Sequence, residues 1–256
     1  MDLPEVFDRN ARRTRRMGIA RANPSDRWLI RRMALELLDR WLDRKSEAQR
    51  VLILGHDDGV IRDAMADRGI ACVFADTCGG FAQIICDEDR LPFADASFDV
   101  VFASASLDTV NDLPGALILI RRSLKPGGLF LGAMLGAGSG SLLRSTVMQP
   151  IEGGALTARA HPQIDVRGAG DLLARAGFSD PVADMDSVEA RYTTTEAALA
   201  DRRANGLGNV LKDRYPASKA RFKQWIDHAV GNGQGFTEHF IPIYMTGSAP
   251  PSVEQS

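Results

Sequence analysis

The sequence predicts an α/β fold built on a doubly wound, mostly parallel sheet, and three observations carry that prediction. Short, wholly apolar runs alternate with segments of helical period, the links between them are short, and successive runs end on glycine or an acid, at Gly55, Asp76 and Asp87. Runs that are apolar throughout suit strands buried on both faces, as helices packed on each side of a parallel sheet require. The 256 residues, 45% apolar and 25% charged, suffice for one such domain with appendages and need no disulfide or metal to hold a core.

The elements follow in order. Residues 1–45 form an N-terminal helical arm, and its first 22 are basic and amphipathic. There Arg12, Arg13, Arg15, Arg16 and Arg21 interleave with Asp2, Glu5 and Asp8, without the apolar stretch of a signal peptide. These arginines read either as a solvated helix face or as a docking surface for an acidic partner. Asn23-Pro24-Ser25-Asp26 predicts a turn, with Ser25 or Asp26 as N-cap of a helix over 28–42. That helix rests on Leu29, Met33, Leu37, Leu38, Trp41 and Leu42 at helical spacing.

The main domain spans 46–248. Its strands are expected at 51–54, 71–75, 82–86, 98–103 and 129–135, with helices over 59–68 and 112–124. A helix over 168–177, a strand at 182–192 and a strand at 240–245 complete a seven-stranded sheet. Pro242 places the last strand at an edge or a bulge, because proline cannot donate to a ladder. Residues 194–231 read as a helical lid, and 249–256 as a disordered tail.

Composition narrows the function. A net charge of −2, with no basic stripe interleaved with aromatics, argues against nucleic acid as partner. No run reaches the roughly 20 apolar residues of a membrane span, which leaves peripheral association open. Cys72, Cys78 and Cys86 show neither pairing nor metal spacing, so a reducing, cytoplasmic compartment is expected. His56, His161, His228 and His239 are too scattered for a metal site, and no iron triad is visible.

In an open parallel sheet, ligands bind beyond the carboxyl ends of the strands at the switch point. A glycine turn after the first strand lets a ligand approach backbone at a helix N-terminus. An acid ending the second strand suits a pair of ribose hydroxyls, and one after the third suits an adenine amine. Three such ends in series point to a nucleoside-containing cofactor.

Two stretches carry a family resemblance. Asp87-Glu88-Asp89-Arg90-Leu91-Pro92-Phe93 with Ser97-Phe98-Asp99-Val100-Val101, and Leu124-Lys125-Pro126-Gly127-Gly128 before an apolar strand, resemble class I methyltransferases. Further pieces are similar to the respiratory complex I assembly-factor methyltransferase-like proteins and their bacterial relatives. They are Val6-Phe7-Asp8-Arg9-Asn10, Ser104-Ala105-Ser106-Leu107, Val110-Asn111-Asp112-Leu113-Pro114, Gly132-Ala133-Met134 and residues 240–247. Malonyl-carrier methyltransferases are more distant neighbours. The resemblance implies a Rossmann-like fold and S-adenosylmethionine as cofactor. It implies Gly55, Asp57 and Gly59 in the first loop, Asp76 with Thr77 at the ribose, Asp87 with Glu88 around the adenine, and Ser104 at the end of the fourth strand. The acceptor would be a protein or a small molecule, with a respiratory-complex subunit as one candidate. The group is linked to arginine hydroxylation. A non-catalytic or arginine-hydroxylating assembly factor is therefore the alternative to a methyltransferase.

The chain departs from that pattern in two places. Where the family has an acid and three alternating glycines, this chain reads Ile53-Leu54-Gly55-His56-Asp57-Asp58-Gly59. Asp57 in place of the middle glycine has two readings. Against the cofactor's carboxylate at about 4 Å it would repel by roughly 4 kcal/mol, about a thousandfold in affinity. Alternatively, Asp57 or Asp58 would pair with the α-ammonium. His56 reads as a loop imidazole packed beside Asp58 or solvated, with a base near neutrality as the functional reading. After the fourth strand, Asp108-Thr109 stands where relatives carry His-Trp, which makes these two the candidate catalytic residues. Asp108 suits a cationic acceptor or a helix start. Arg144 and Asp201-Arg202-Arg203-Ala204-Asn205-Gly206 are candidates for partner contact.

Overall fold

The structure, a computed structural model, describes residues 5–44, 47–142, 144, 160–214, 223 and 235–251. A seven-stranded sheet runs through it in the order β3-β2-β1-β4-β5-β9-β6. Its strands are β1 (Arg50–Gly55), β2 (Ala71–Asp76), β3 (Ile84–Ile85), β4 (Phe98–Ser104), β5 (Leu124–Leu135), β6 (Ser179–Met185) and β9 (Pro242–Ser248). β1 to β5 are mutually parallel, and β9 runs antiparallel to both β5 and β6. The helices are α1 (Arg9–Arg21), α2 (Trp28–Asp43), α3 (Val60–Ala66), α4 (Leu113–Ser123), α5 (Val166–Arg175) and α6 (Thr195–Ala204). A separate two-stranded antiparallel sheet pairs β7 (Val188–Tyr192) with β8 (Phe236–Phe240). The fold is the expected Rossmann-like one.

Strand periodicity explains why the sheet has a core on each face. Val51 and Ile53 join Val100, Phe102, Leu129 and Leu131 on one face, under Leu29, Met33, Leu37 and Trp41 of α2 and Ile61 and Met65 of α3. Leu52 and Leu54 join Val101, Ala103, Phe130 and Met134 on the other, under Leu117 and Ile120 of α4 and Leu173 of α5. Both faces are apolar, so β1 and β4 read as unbroken apolar runs.

Four expectations are corrected. Residues 182–192 are two strands, because the chain leaves the main sheet at Asp186, whose N–H donates to the Pro242 carbonyl at 3.0 Å. The C-terminal segment breaks in the same place: β8 belongs to the two-stranded sheet and β9 to the main sheet. Pro242 is not on an edge strand, since β9 has a neighbour on each side; it is that strand's first residue, a position that tolerates a missing donor. Neither Ser25 nor Asp26 caps α2. Pro24–Asp26 forms a 3-10 turn, and Asn205, just beyond α6, accepts from the Leu29 and Ile30 amides at 3.2 and 3.4 Å. A side chain 176 positions away supplies the cap, which no local pattern reveals.

Within the stretch expected as a lid, α6 is described, whereas 215–222 and 224–234 lie outside the described residues. Ala249 is buried and donates to Gly128, while its carbonyl accepts from Gly127. Residues 252–256 of the expected tail lie outside the described residues.

Candidate functional site

The sheet order reverses between β1 and β4, and the candidate residues converge at the carboxyl ends around that point. Gly55 ends β1 at φ +85°, and a Cβ there would sit 2.3 Å from the Ser104 carbonyl and 3.1 Å from an Arg16 nitrogen. Only glycine lets β1 turn so close to β4. Gly59, at φ +80°, caps α3. Asp76 ends β2, Ser104 ends β4, and Asp87 and Glu88 follow β3, with Thr77 beside Asp76. Two non-glycine residues, Asp58 (φ 52°) and Ala105 (φ 49°), hold left-handed backbone directly after β1 and β4. Strain of that kind collects at functional sites.

Helix α1 lies across these ends. Asp8 caps it by accepting from the Asn10 and Ala11 amides, and Arg214 pairs with the other Asp8 oxygen at 2.7 Å. The Asn111 side chain accepts from the Val6 and Phe7 amides at 2.9 and 2.8 Å and donates to the Phe7 carbonyl. Two of the segments that carried the resemblance therefore touch one another.

Arg9, Arg12 and Arg16, spaced three and four apart, share one face of α1. That face meets the acids. Arg16 grips Asp76 with two hydrogen bonds of 2.6 Å and donates to the Ala105 carbonyl at 2.8 Å. Arg12 lies 2.8 Å from Glu88 and 3.4 Å from Asp87, and donates to Thr109 Oγ1 and the Ser106 carbonyl. Arg9 forks onto Asp89 at 2.9 and 2.8 Å and reaches Asp87 at 2.9 Å. Arg13 donates to the Thr77 carbonyl. Arg12 and Arg16 are buried, so they form neither a solvated face nor a surface for an external partner. Their acidic partner is this chain's own strand ends. Burial alone would push the Asp76 carboxyl up, but the Arg16 charge and its paired hydrogen bonds outweigh that and hold it below the ordinary value.

In the altered first loop, Asp57 is buried and its two oxygens accept from the Gly59 and Arg62 amides at 3.2 and 2.8 Å. It supplies the first turn of α3 with acceptors, as an N-cap would. Asp58 pairs with Arg27 at 3.0 Å and Arg31 at 3.5 Å. His56 is buried against Phe81, with ring centroids 3.5 Å apart. The Asp58 amide faces its Nδ1 at 2.9 Å and Arg27 faces its Nε2 at 2.7 Å. Both neighbours are donors and a neutral ring has one accepting nitrogen, so a second proton would set an N–H against a donor on each side. Burial first, then Arg27 and Arg16, pull it down to about 3, far from a base poised at neutrality.

Asp108 and Thr109 lie in a short 3-10 turn beyond β4 and line a cleft with Arg15, Ile19, Met33 and Asn205. One guanidinium nitrogen of Arg15 is buried there without a hydrogen-bond partner. Burial and the nearby Arg202 lower the affinity of Arg15 for its proton, and Asp108 opposes them. The segment over 201–206 is structural: Asp201 accepts from Trp28 Nε1 and the Tyr192 hydroxyl, and Arg202 donates to the Leu207 carbonyl. Arg144 donates to the His161 carbonyl at 2.6 Å.

The polar groups around the switch point fit a nucleoside-containing ligand. The Ser104 and Ser106 hydroxyls and Glu88 Oε1 are buried without a hydrogen bond, while Glu88 Oε2 lies 2.8 Å from an Arg12 nitrogen. Buried groups of this kind ordinarily have partners. The arginines of α1 neutralise the acids yet leave these groups unsatisfied. The sequence marked Arg12 and Arg16 as a solvated face or a docking surface for an acidic partner, but not as partners of the strand-end acids. Their signal was the 9-12-16 spacing set against Asp76, Asp87, Glu88 and Asp89.

Residues 61–132 match the family described as a methyltransferase domain. The chain is 33% identical over 178 residues to arginine-hydroxylase NDUFAF5, mitochondrial, of Danio rerio, a match covering 65% of this chain and 54% of that protein. It is 30% identical over 183 residues to malonyl-[acyl-carrier protein] O-methyltransferase of Methylovorus sp., covering 70% and 59%. The chain thus spans little more than half the length of these two relatives. Among solved structures, the YcgJ protein of Bacillus subtilis aligns with a TM-score of 0.59 at 15% identity, over 85% of this chain and 99% of that one, which shows a shared fold. With the strand order and the domain match, these relatives place the chain in the class I S-adenosylmethionine-dependent methyltransferase superfamily.

Proposed function

We propose that the chain binds S-adenosylmethionine at the ends of β1, β2 and β3 and transfers its methyl group to a protein or small-molecule acceptor. One observation carries this reading. Gly55, Asp76 and Glu88 stand together at the switch point, where the Ser104 and Ser106 hydroxyls and Glu88 Oε1 lack hydrogen bonds. Asp76 would take the ribose hydroxyls, with Thr77 beside it. Asp87 and Glu88 would frame the adenine, and Ser104 would face the ligand from β4. Gly55 and Gly59 would let the backbone come close. Asp57, engaged on the Gly59 and Arg62 amides, would shape the loop rather than touch the ligand.

The cofactor, when bound, supplies an electrophilic methyl group. This chain's own residues would then align an acceptor and exclude water, and methyl transfer asks for little more. The acceptor would approach through the cleft lined by Arg15, Asp108 and Thr109. Asp108 suits a cationic acceptor group there. The three free cysteines accord with a cytoplasmic or other reducing compartment. Among the described residues, no helix is long and apolar enough to cross a membrane.

A second reading rests on the occupied acids. A chain whose arginines already neutralise Asp76, Asp87 and Glu88 would also serve as a non-catalytic or arginine-hydroxylating assembly factor, with a respiratory-complex subunit as partner.

Calorimetric titration with S-adenosylmethionine separates the two, run on the wild type and on Asp76→Asn. Saturable wild-type binding, weakened at least tenfold by Asp76→Asn, supports the first reading. Absence of binding at millimolar ligand to the wild type and to any variant freed of α1 arginines refutes it.

A further inference from the structure

We infer that helix α1 is an exchangeable occupant of the cofactor site. Its arginine face and S-adenosylmethionine bind the same carboxylates, so ligand entry and α1 seating exclude one another. The inference rests on the cofactor reading above and adds a competitor built into the chain.

The geometry leaves little alternative for a ligand on Asp76. Both oxygens of that carboxylate are taken by Arg16 at 2.6 Å, and an Arg16 nitrogen lies against Gly55 where the ligand would cross the backbone. Arg12 fills the neighbouring position between Glu88, Asp87, Thr109 and the Ser106 carbonyl. A ribose on Asp76 therefore requires the Arg16 guanidinium to leave.

Two features make departure feasible. The seated arginines leave the Ser104 and Ser106 hydroxyls and Glu88 Oε1 without hydrogen bonds, so a ligand that satisfies them gains what α1 does not offer. When α1 lifts, Arg9, Arg12 and Arg16 and their acids all return to water or ligand, and no charge is stranded in the interior. The apolar anchoring of α1 is modest, with Ile19 its one buried apolar residue. Its N-terminal hinge stays tied through Asn111 to Val6 and Phe7, so the helix can swing without being lost.

In linkage terms, the apparent affinity for the ligand is its intrinsic affinity reduced by the fraction of molecules with α1 open. Ligand and α1 then report on each other reciprocally.

The test uses S-adenosylhomocysteine as probe on the full chain, with folding of each variant checked by circular dichroism. Arg12→Gln/Arg16→Gln should bind at least tenfold more tightly than the wild type. As a variant that keeps every site residue, Ala20→Cys/Gly80→Cys in a Cys78→Ser background would staple α1 to the loop after β2. A Cβ on Gly80 would lie 2.6 Å from that of Ala20, about 1 Å closer than disulfide spacing, so the loop after β2 must yield by that much to form the bond. The oxidised staple should lose binding at least tenfold, and reduction should restore it. In the wild type, saturating ligand should speed tryptic cleavage after Arg12 and Arg16. Equal binding by the wild type, the double variant and the staple, with α1 protected by ligand, overturns the inference while leaving the cofactor reading intact. No binding by any of them, including Arg12→Gln/Arg16→Gln, overturns both and makes the arginine–acid pairs purely structural.

Discussion

With α1 seated, replacing Arg16 with Met strands a carboxylate, so the closed fold is predicted to lose stability, up to the cost of lifting α1. The Asp76 side chain is 0% exposed and that of Arg16 5%. The two are joined by paired hydrogen bonds of 2.6 Å, and Asp76 receives only weaker help from the Thr77 hydroxyl and the Cys78 amide, at 3.2 and 3.3 Å. Removing one partner of such a pair costs about 3–5 kcal/mol. Set against a total stability of about 5–15 kcal/mol, that is a large share. The midpoint of thermal unfolding should fall by about 6–20 °C for a domain of this size. Removing both charges in Arg16→Met/Asp76→Asn should recover most of the loss. The sign of the pH dependence separates this account from a simple packing defect. In the wild type the folded Asp76 carboxyl lies below its ordinary value of 3.8, so the pair's contribution is complete above that pH and fades as pH falls through the lower folded value. In Arg16→Met, burial acts unopposed and raises the carboxyl, so the deficit against the wild type should shrink on acidification. Urea unfolding at pH 7 and pH 5, followed by tryptophan fluorescence, reads both effects. A loss under about 1 kcal/mol, or a deficit independent of pH with no recovery in the double variant, would refute the reasoning.

Three further outcomes are expected. His56 and His161 both titrate near 3 in the folded chain, against 6.5 when free, chiefly through burial and then through arginines beside each ring. The unfolded chain therefore binds more protons below pH 6.5, and stability should fall by on the order of 3 kcal/mol per ring between pH 6.5 and 4. His56→Gln should flatten that slope in urea titrations, and an unchanged slope would count against it. Gly55→Ala forces a Cβ to 2.3 Å from the Ser104 carbonyl at a φ of +85°. It should cost about 3 kcal/mol or more in a denaturant melt, whereas a melt at the wild-type midpoint would show that β1 and β4 can separate there. Asp57→Ala removes both acceptors at the start of α3 and should cost about 1–2 kcal/mol. Faster amide exchange at Gly59 and Arg62 would locate the loss, and unchanged exchange would contradict the capping role.

Much of the fold was legible because its determinants are local. The unbroken apolar runs of β1 and β4, the glycine ending β1, the acid ending β2 and the acids that follow β3 encode strand, burial and polarity within a few residues. What escaped was non-local. Asn205 caps α2 from the far side of the sequence, and the turn at Asp186 depends on the Pro242 carbonyl. Neither contact leaves a pattern in its own neighbourhood. The site shows the same division. Gly55, Asp76, Asp87, Glu88 and Ser104 meet at the switch point that the strand order creates. The sequence offered two roles for Asp57 towards a ligand, whereas in the structure its oxygens serve the amides of α3. The arginines of α1 had the composition of a surface patch, and only the fold shows that they face buried acids.

The most direct test of the whole account is a crystal structure of the full chain grown with S-adenosylhomocysteine. The account predicts the ribose hydroxyls on Asp76, the adenine beside Asp87 and Glu88, and the Arg16 guanidinium withdrawn from both. A ligand bound elsewhere, with the paired 2.6 Å hydrogen bonds between Arg16 and Asp76 still in place, would contradict it.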